Sequence, residues 1–147
     1  MAIYFADSSV LVKRYRQEAG SKRTSELLES AERVLIARLT IVEVSAALAR
    51  RAHATKTEQE NLLAALSAFD RDVAGALDIV ELDEPLMEYA VKLARQHALR
   101  GADAIQLSAA LLAGHELSDA RITLLSADSE LNAAAAAEGL AVVDPTA

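Results

Sequence analysis

The sequence contains no cysteine and no tryptophan, and only two of its 147 residues are proline. The lack of cysteine excludes disulfide bonds, thiolate zinc sites and a cysteine nucleophile, and it is consistent with a cytoplasmic location. The glycine-rich patterns of dinucleotide and nucleoside triphosphate sites are absent, as is the Gly-x-Ser-x-Gly motif of serine hydrolases. The chemistry of this chain must therefore come from other side chains.

Long apolar runs are also missing. The N-terminus has no basic start, and Asp7 interrupts its apolar stretch before a signal-peptide core can form. The longest apolar tract, residues 34–52, is broken by Arg38 and Glu43, so it falls short of the roughly 20 apolar residues that cross a bilayer. We therefore expect a cytoplasmic protein without membrane association.

Aromatic residues and positive charge are both scarce. Aromatics make up 3% of the chain and hydrophobic residues 52%, so the core must consist mainly of Ala, Leu, Val and Ile. Such a core suits helices and buried parallel strands. The net charge of -7 disfavours a broad basic face for nucleic acid. A polyanionic substrate would need bound cations and local basic residues.

Short apolar runs alternate with longer helical patterns along the chain. The runs predict strands at residues 2–6, 34–37, 77–80, 122–125 and 140–143. Amphipathic spacing predicts helices after Asp7, at 22–31, from Thr40 to 52, from about Thr57, after Pro85, and at 102–113 and 128–137. With no linker or repeat, we expect one α/β domain over residues 1–147, with helices on both faces of a mainly parallel sheet.

Four acidic residues lie at strand ends or helix starts. Asp7, Glu43 and Asp128 are expected at the carboxyl edge of the sheet, where functional groups of open α/β sheets gather, whereas Asp103 opens a helix that follows another helix. Each also has a structural explanation, because carboxylates cap and stabilise helix N-termini. Thr40 and Glu43 match a capping box, and capping is the preferred interpretation for Glu43 taken alone.

The other titratable residues are given ordinary roles. The histidines at 53, 97 and 115 are scattered along the chain, which disfavours a histidine-based catalytic or zinc site. Asp83 and Glu84 are interpreted as capping residues of the helix that Pro85 opens. The acids interpreted as solvated surface charges are Asp70, Asp72, Asp78 and Glu81, and Asp119 is assigned to a loop.

Four segments together resemble, in order, the acidic motifs of the PIN-domain family. They are FADSSVLVKRY at residues 5–15, LTIVEVSAAL at 39–48, LRGADAIQLSAA at 99–110 and LLSADSEL at 124–131. The resemblance runs from about Ile3 to Val143, and the layout is most similar to the VapC-type toxins of toxin-antitoxin pairs. Ala6 and Ser126 stand where the family often has a larger apolar residue and threonine, and neither departure touches an acid.

The resemblance implies a PIN-like three-layer fold and a metal-dependent endoribonuclease that hydrolyses RNA phosphodiester bonds. It implies that Asp7 and Asp103 ligate the metal, that Glu43 and Asp128 complete the set, and that all four are catalytic. Carboxylates without thiolates or paired imidazoles favour Mg²⁺ or Mn²⁺, which would activate water and neutralise charge on the phosphate.

Further candidate residues lie near the acidic segments, and the resemblance also implies partners. The serines at 8, 9 and 126 are candidates for orienting water, ligand or phosphate, with helix capping as an equal alternative. Arg14 belongs to a group of candidate phosphate contacts that also contains Lys13, Arg16, Arg50, Arg51 and Arg100. For any single member, a solvated surface role is the preferred interpretation. A protein antitoxin and a homodimer are implied. An apolar groove for the antitoxin is considered at Leu27, Leu28, Leu62, Leu63, Leu66 and Phe69, with core packing as the preferred interpretation.

Two alternatives from other functional classes remain open. One is a non-catalytic interaction module with the PIN fold, although the presence of all four acids argues against it. The other is a DNA nuclease or structure-specific nuclease of the same superfamily, which would share the metal chemistry. A phosphate-accepting receiver domain is disfavoured because the chain lacks the adjacent acidic pair of that class.

Overall fold

The predicted strands form one parallel sheet in the computed structural model, which describes residues 1–51, 55–117 and 121–147. Within these residues the strands are β1 (Ile3–Ala6), β2 (Arg33–Ala37), β3 (Asp78–Val80), β4 (Ile122–Leu125) and β5 (Ala141–Val143). Their order is β3-β2-β1-β4-β5, and every neighbouring pair is parallel. The expected α/β fold with a parallel sheet is therefore confirmed.

Helices connect successive strands, because parallel neighbours cannot be joined by a tight hairpin. A pair of helices follows each of the first three strands in the chain, and a single helix joins β4 to β5. None of the described helices is long and apolar enough to span a membrane. The helices are α1 (Ser8–Tyr15), α2 (Ser21–Ser30), α3 (Arg38–Arg51), α4 (Lys56–Gly75), α5 (Glu84–His97), α6 (Gly101–Glu116) and α7 (Ser129–Ala137).

The sheet is covered on both faces, because alternate residues of each strand point to opposite sides. Phe5 and Leu35 pack on the face that α5, α6 and α7 cover, together with Leu93, Leu107 and Leu131. On the opposite face, strand residues pack against α1, α3 and α4, through side chains that include Ala6, Val34, Ile36, Leu11, Leu48 and Phe69. Burial on both sides explains why the three central strands, β1, β2 and β4, are mainly apolar.

The predicted start of α3 is wrong. The helix begins at Arg38, two residues before Thr40, so Thr40 lies inside the helix and cannot cap it. Glu43 is consequently outside the first turn, and its carboxylate accepts a hydrogen bond from Gln106 of α6. The capping box failed as a signal because its spacing also occurs inside a helix whose true start is set by the end of β2.

The surface-charge assignment of Asp72 is also wrong. Its Oδ2 accepts a hydrogen bond of 2.6 Å from the Tyr15 hydroxyl and one of 3.2 Å from Arg14 Nε. Burial, and then the nearby Asp72 carboxylate, raise the pKa of the Tyr15 hydroxyl. Asp72 therefore joins α4 to α1. Other assignments, to Ala52, His53, Asp119 and the side chain of Arg51, fall outside what the structure describes.

The strand order creates a crevice at the carboxyl edge of the sheet. From β1 the chain moves outward to β2 and β3, and it then returns to place β4 on the other side of β1. Connections leave β1 and β4 in opposite directions, and such a reversal opens a crevice beyond the strand ends. Asp7 directly follows β1, and Ser126 directly follows β4, so both residues lie at this crevice.

We expect Leu124→Ala to lower the free energy of unfolding by about 2–5 kcal/mol, because it removes a fully buried side chain and leaves a cavity. Leu63→Ala is the matched control, since Leu63 is 66% exposed, and its effect should stay within about 0.5 kcal/mol. Urea denaturation followed by circular dichroism measures both. Equal losses would contradict the described core.

Candidate active site

Asp7 is a buried carboxylate, 3% exposed, at the end of β1. Its Oδ1 accepts hydrogen bonds from the Ser9 backbone N–H at 2.9 Å and from Ser8 Oγ at 3.2 Å. Its Oδ2 accepts from Ser9 Oγ at 2.9 Å and from Ser126 Oγ at 2.7 Å. These donors offset the desolvation of a buried charge. Asp7 is also the N-cap of α1, so its structural and functional interpretations are compatible.

Two of these serines connect Asp7 to the chain that follows β4. Ser9 Oγ accepts a hydrogen bond from the Ala127 backbone N–H at 3.0 Å, and Ser126 Oγ accepts one from the Asp128 N–H at 3.1 Å. Each hydroxyl thus donates a hydrogen bond to the Asp7 carboxylate and accepts one from a backbone N–H of the segment that follows β4. The serines orient Asp7 and at the same time fix the position of Asp128.

Asp103 and Asp128 meet at a shared guanidinium. Asp128 is the N-cap of α7 and accepts a hydrogen bond of 3.0 Å from the Leu131 N–H, whereas Asp103 lies in the first turn of α6. Arg100 donates from Nε to Asp103 Oδ2 at 3.3 Å and from Nη2 to Asp128 Oδ2 at 2.8 Å. The Arg100 side chain is 73% exposed, so solvent weakens both ion pairs.

Glu43 reaches the same region from α3 and is held by a residue that the sequence did not single out. Gln106 Nε2 donates to Glu43 Oε1 at 3.0 Å and to Thr40 Oγ1 at 2.8 Å. Gln106 is 1% exposed. The available sequence signal was an amide in the mainly apolar stretch at residues 104–113, but such a signal does not identify the partner.

The four predicted acids line one open cavity of about 410 Å³. They come from the end of β1, the second turn of α3, the start of α6 and the N-cap of α7, so residues far apart in the chain share one site. Arg100 is the basic side chain among the residues that line it. The remaining lining residues are Ser8, Ser9, Val12, Ala47 and Ala102.

The electrostatics of the cavity show in the pKa of the Asp103 carboxyl, which lies above its ordinary value. Burial is the largest cause, followed by the negative charge of Asp128, and Asp7 adds a smaller contribution in the same direction. The positive charge of Arg100 opposes these effects without cancelling them. Charging Asp103 therefore costs free energy in the metal-free fold.

The donor set suits a hard divalent cation, because carboxylate oxygens are the ligands that Mg²⁺ and Mn²⁺ prefer. In their present conformations, the described acidic and histidine side chains form no group of three that could hold one metal ion. Arg100 holds two of the acids instead, and hydrogen bonds engage Asp7 and Glu43. Arg100 therefore occupies the Oδ2 atoms of Asp103 and Asp128 in the metal-free fold.

Some residues considered from the sequence lie elsewhere. Arg14 is absent from the cavity lining, and its guanidinium pairs with Asp72 at 3.2 Å and with Glu29 at 3.7 Å. Its placement therefore gives no support to a substrate contact. His97 Nε2 lies 3.0 Å from Glu138 Oε2, where it joins α5 to the end of α7.

Comparison with known proteins places the chain in a family. The profile of the family described as PIN domain matches residues 4–137. This chain belongs to the PIN-domain family. Ribonuclease VapC45 of Mycobacterium tuberculosis is 38% identical to it over 114 residues, which cover 78% of each chain. The sequence resemblance is thereby confirmed.

Solved structures share the fold at lower sequence identity. The FitAB complex bound to an IR36 DNA fragment contains a chain with a TM-score of 0.71 and 20% identity, matched over 98% of this chain and 96% of that one. A toxin-antitoxin complex from Klebsiella pneumoniae gives a TM-score of 0.58 and 20% identity, over 99% of this chain and 98% of that one. Both likenesses show that this PIN domain has the same overall topology.

We expect Ser126→Ala to lower the free energy of unfolding of this PIN domain by about 1–3 kcal/mol, because it removes a donor from a buried carboxylate. Ser67→Ala is the matched control, since Ser67 is exposed on α4, and its effect should stay within about 0.5 kcal/mol. Urea denaturation in EDTA measures both. A loss at Ser126 no larger than at Ser67 would show that this hydrogen bond does not anchor the site.

We expect Asp103→Asn to raise the melting temperature of the metal-free protein at pH 7. The raised pKa means that the folded state holds this proton more tightly than the unfolded state does. Stability is therefore lost as the pH rises through the folded pKa, and asparagine avoids that loss. The advantage should disappear below the ordinary pKa range of an aspartate.

The control for Asp103→Asn is Asp70→Asn, which makes the same change in net charge at an exposed position of α4. Thermal unfolding in EDTA at several pH values from 3 to 8 compares the two variants with the parent protein. A gain at pH 7 that Asp70→Asn reproduces would assign the effect to net charge instead of the cavity.

Proposed function

We propose that this chain is a metal-dependent endoribonuclease and the toxin of a toxin-antitoxin pair. The observation that carries the proposal is the convergence of Asp7, Glu43, Asp103 and Asp128 on one cavity at the carboxyl edge of the sheet. Family membership and the similarity to a protein named as a ribonuclease support the same activity. RNA phosphodiester bonds are the proposed substrate, and the cytoplasm is the proposed place of action.

Asp7 and Asp103 are the proposed principal ligands of Mg²⁺ or Mn²⁺, and Glu43 and Asp128 complete the acidic set. When bound, the ion would supply a Lewis acid that promotes ionisation of the attacking water and neutralises charge on the phosphate. Asp7 is suited to its role because Ser8, Ser9 and Ser126 already fix its carboxylate. A ligand orientated before binding loses less conformational freedom when the ion arrives.

Arg100 is the proposed contact for the RNA backbone. Its guanidinium lies at the cavity and is exposed, and a guanidinium can bind phosphate oxygens in a bidentate manner. A cation at Asp103 and Asp128 would compete with their ion pairs to Arg100. A local positive charge such as Arg100 would allow a protein of net charge -7 to hold a polyanion.

An antitoxin protein is the proposed partner, and structural similarity to a toxin-antitoxin complex supports it. The groove considered from the sequence is only partly exposed, because Phe69 is fully buried while Leu63 is 66% exposed. Leu62 lines a separate cavity of about 460 Å³ together with Tyr15 and Leu48, and this is the surface we propose for an antitoxin segment. A homodimer remains a proposal that rests on the family resemblance alone.

We expect the purified protein to cleave RNA with Mn²⁺ or Mg²⁺ and to be inactive in EDTA. Asp7→Asn and Asp103→Asn should each reduce the rate at least about 100-fold, since even partners of metal ligands typically contribute 10–100-fold. The measurement uses labelled single-stranded RNA, structured RNA and DNA as parallel substrates. Asp70→Asn, with the same change in charge at an exposed site, should retain the parent rate.

The outcomes separate the alternatives. Metal-dependent cutting of DNA without cutting of RNA would assign the protein to the DNA nucleases of the superfamily. Binding without cutting, by folded protein free of a bound inhibitor, would favour the non-catalytic module. RNA cleavage that persists in both variants would remove the acidic cavity as the active site.

A further inference from the structure

Gln106 is a buried amide in a helix whose buried residues are mainly apolar. It lies in α6 at 1% exposure, in a helix whose buried residues include Ala104, Leu107 and Ala110. Its Nε2 makes two hydrogen bonds, to Thr40 Oγ1 at 2.8 Å and to Glu43 Oε1 at 3.0 Å. A core residue of this helix therefore contacts a side chain of the acidic cavity.

The orientation of this amide follows from the chemistry of its partner. An ionised carboxylate can only accept hydrogen bonds, so the nitrogen of Gln106 must face Glu43. Turning the amide over would place its carbonyl oxygen against the carboxylate. The orientation has a cost, because the buried Oε1 of Gln106 accepts no hydrogen bond from any residue that the structure describes. Leaving a buried carbonyl unpaired is unfavourable.

Packing alone does not explain an amide at this position. Leucine or methionine would fill the same space in the core without an unpaired carbonyl oxygen. The gains that offset this cost are the hydrogen bonds to Thr40 and Glu43. Glu43 is a side chain with three rotatable bonds that no other described hydrogen bond holds. Fixing such a side chain before a ligand arrives removes part of the entropic cost of binding.

The position of Gln106 in α6 places it close to Asp103, another acid of the cavity. It lies three residues after Asp103, and residues at this spacing share one side of a helix. One turn of α6 thus supplies an acid of the cavity and the amide that orients a second acid from α3. The relative placement of these two carboxylates is set by a single rigid element.

We propose that Gln106 is a positioning residue that holds the Glu43 carboxylate at the cavity and thereby raises its affinity for a divalent cation. The inference rests on the proposed function, because it assumes that Glu43 contributes to cation binding. Gln106 itself lies outside the set of residues that line the cavity. It therefore acts through Glu43.

The test is calorimetric titration of the full-length protein with Mn²⁺. Gln106→Met replaces the amide with an apolar side chain of similar length. We expect this variant to bind Mn²⁺ on the order of 10-fold more weakly than the parent, as is typical when a partner of a metal ligand is removed. Parent-like affinity in a folded Gln106→Met protein would overturn the inference.

Thr40→Val is the matched control. It removes the other acceptor of the same amide and leaves the hydrogen bond between Gln106 and Glu43 in place. We expect it to lower the melting temperature but to leave the Mn²⁺ affinity within about twofold of the parent value. A loss of affinity equal to that of Gln106→Met would show that general loosening of the contact between α3 and α6 is responsible.

A double-mutant cycle with Glu43→Ala tests whether Gln106 acts through Glu43. Once Glu43 is absent, Gln106→Met should cause no further loss of Mn²⁺ affinity, because residues that act as a unit are not additive. Additive losses would overturn the inference. Normal Mn²⁺ binding without RNA cleavage would refute the proposed function and leave the inference standing, whereas no Mn²⁺ binding by the parent would refute both.

A measurement on the parent protein covers the case in which Gln106→Met does not fold. The side-chain amide of Gln106 gives its own signals in a ¹H–¹⁵N NMR spectrum. Addition of Mg²⁺ should shift these signals in the parent protein and should not shift them in Glu43→Ala. The inference would be overturned if Mg²⁺ shifted the signals of neighbouring cavity residues but left those of the Gln106 amide unchanged.

Discussion

The buried carboxylate of Asp7 is the constraint on which the site depends. A charge that is 3% exposed is unfavourable unless donors surround it, and three serine hydroxyls and one backbone N–H supply them. Two of those hydroxyls also accept hydrogen bonds from the segment after β4. The donors to one carboxylate therefore connect the ends of β1 and β4, between which the crevice of the candidate active site opens.

The carboxylate of Asp103 is stabilised only in part by its surroundings. Burial and neighbouring negative charge raise the pKa of Asp103, and the exposed guanidinium of Arg100 offsets this only in part. A fold optimised for stability alone would not gather four carboxylates at one cavity. The repulsion between these carboxylates is explained if the cavity serves to bind a cation. A bound cation would attract all of them and so offset their mutual repulsion.

Much of the fold was predictable from the sequence. The five strands were placed to within one residue at each end, because each contains a short apolar run between helical patterns. The run is most continuous in the central strands, which are buried on both faces. The capping box at Thr40 gave the wrong start for α3, because the spacing of this motif also occurs inside helices and the helix begins earlier, at Arg38. Asp72 was misjudged because the tyrosine that donates to it is 57 residues away in the chain.

The sequence by itself determined which elements form and which acids follow strand ends, because both depend on residues that are close in the chain. The family resemblance grouped Asp103 with the other acids. Only the tertiary structure decided that Arg100 lies between two of these acids and that Arg14 lies elsewhere. The contact between Gln106 and Glu43 belongs to the same class, because the partners are 63 positions apart in the chain. Such contacts depend on how helices pack across the sheet, and local periodicity does not encode the identity of a distant partner.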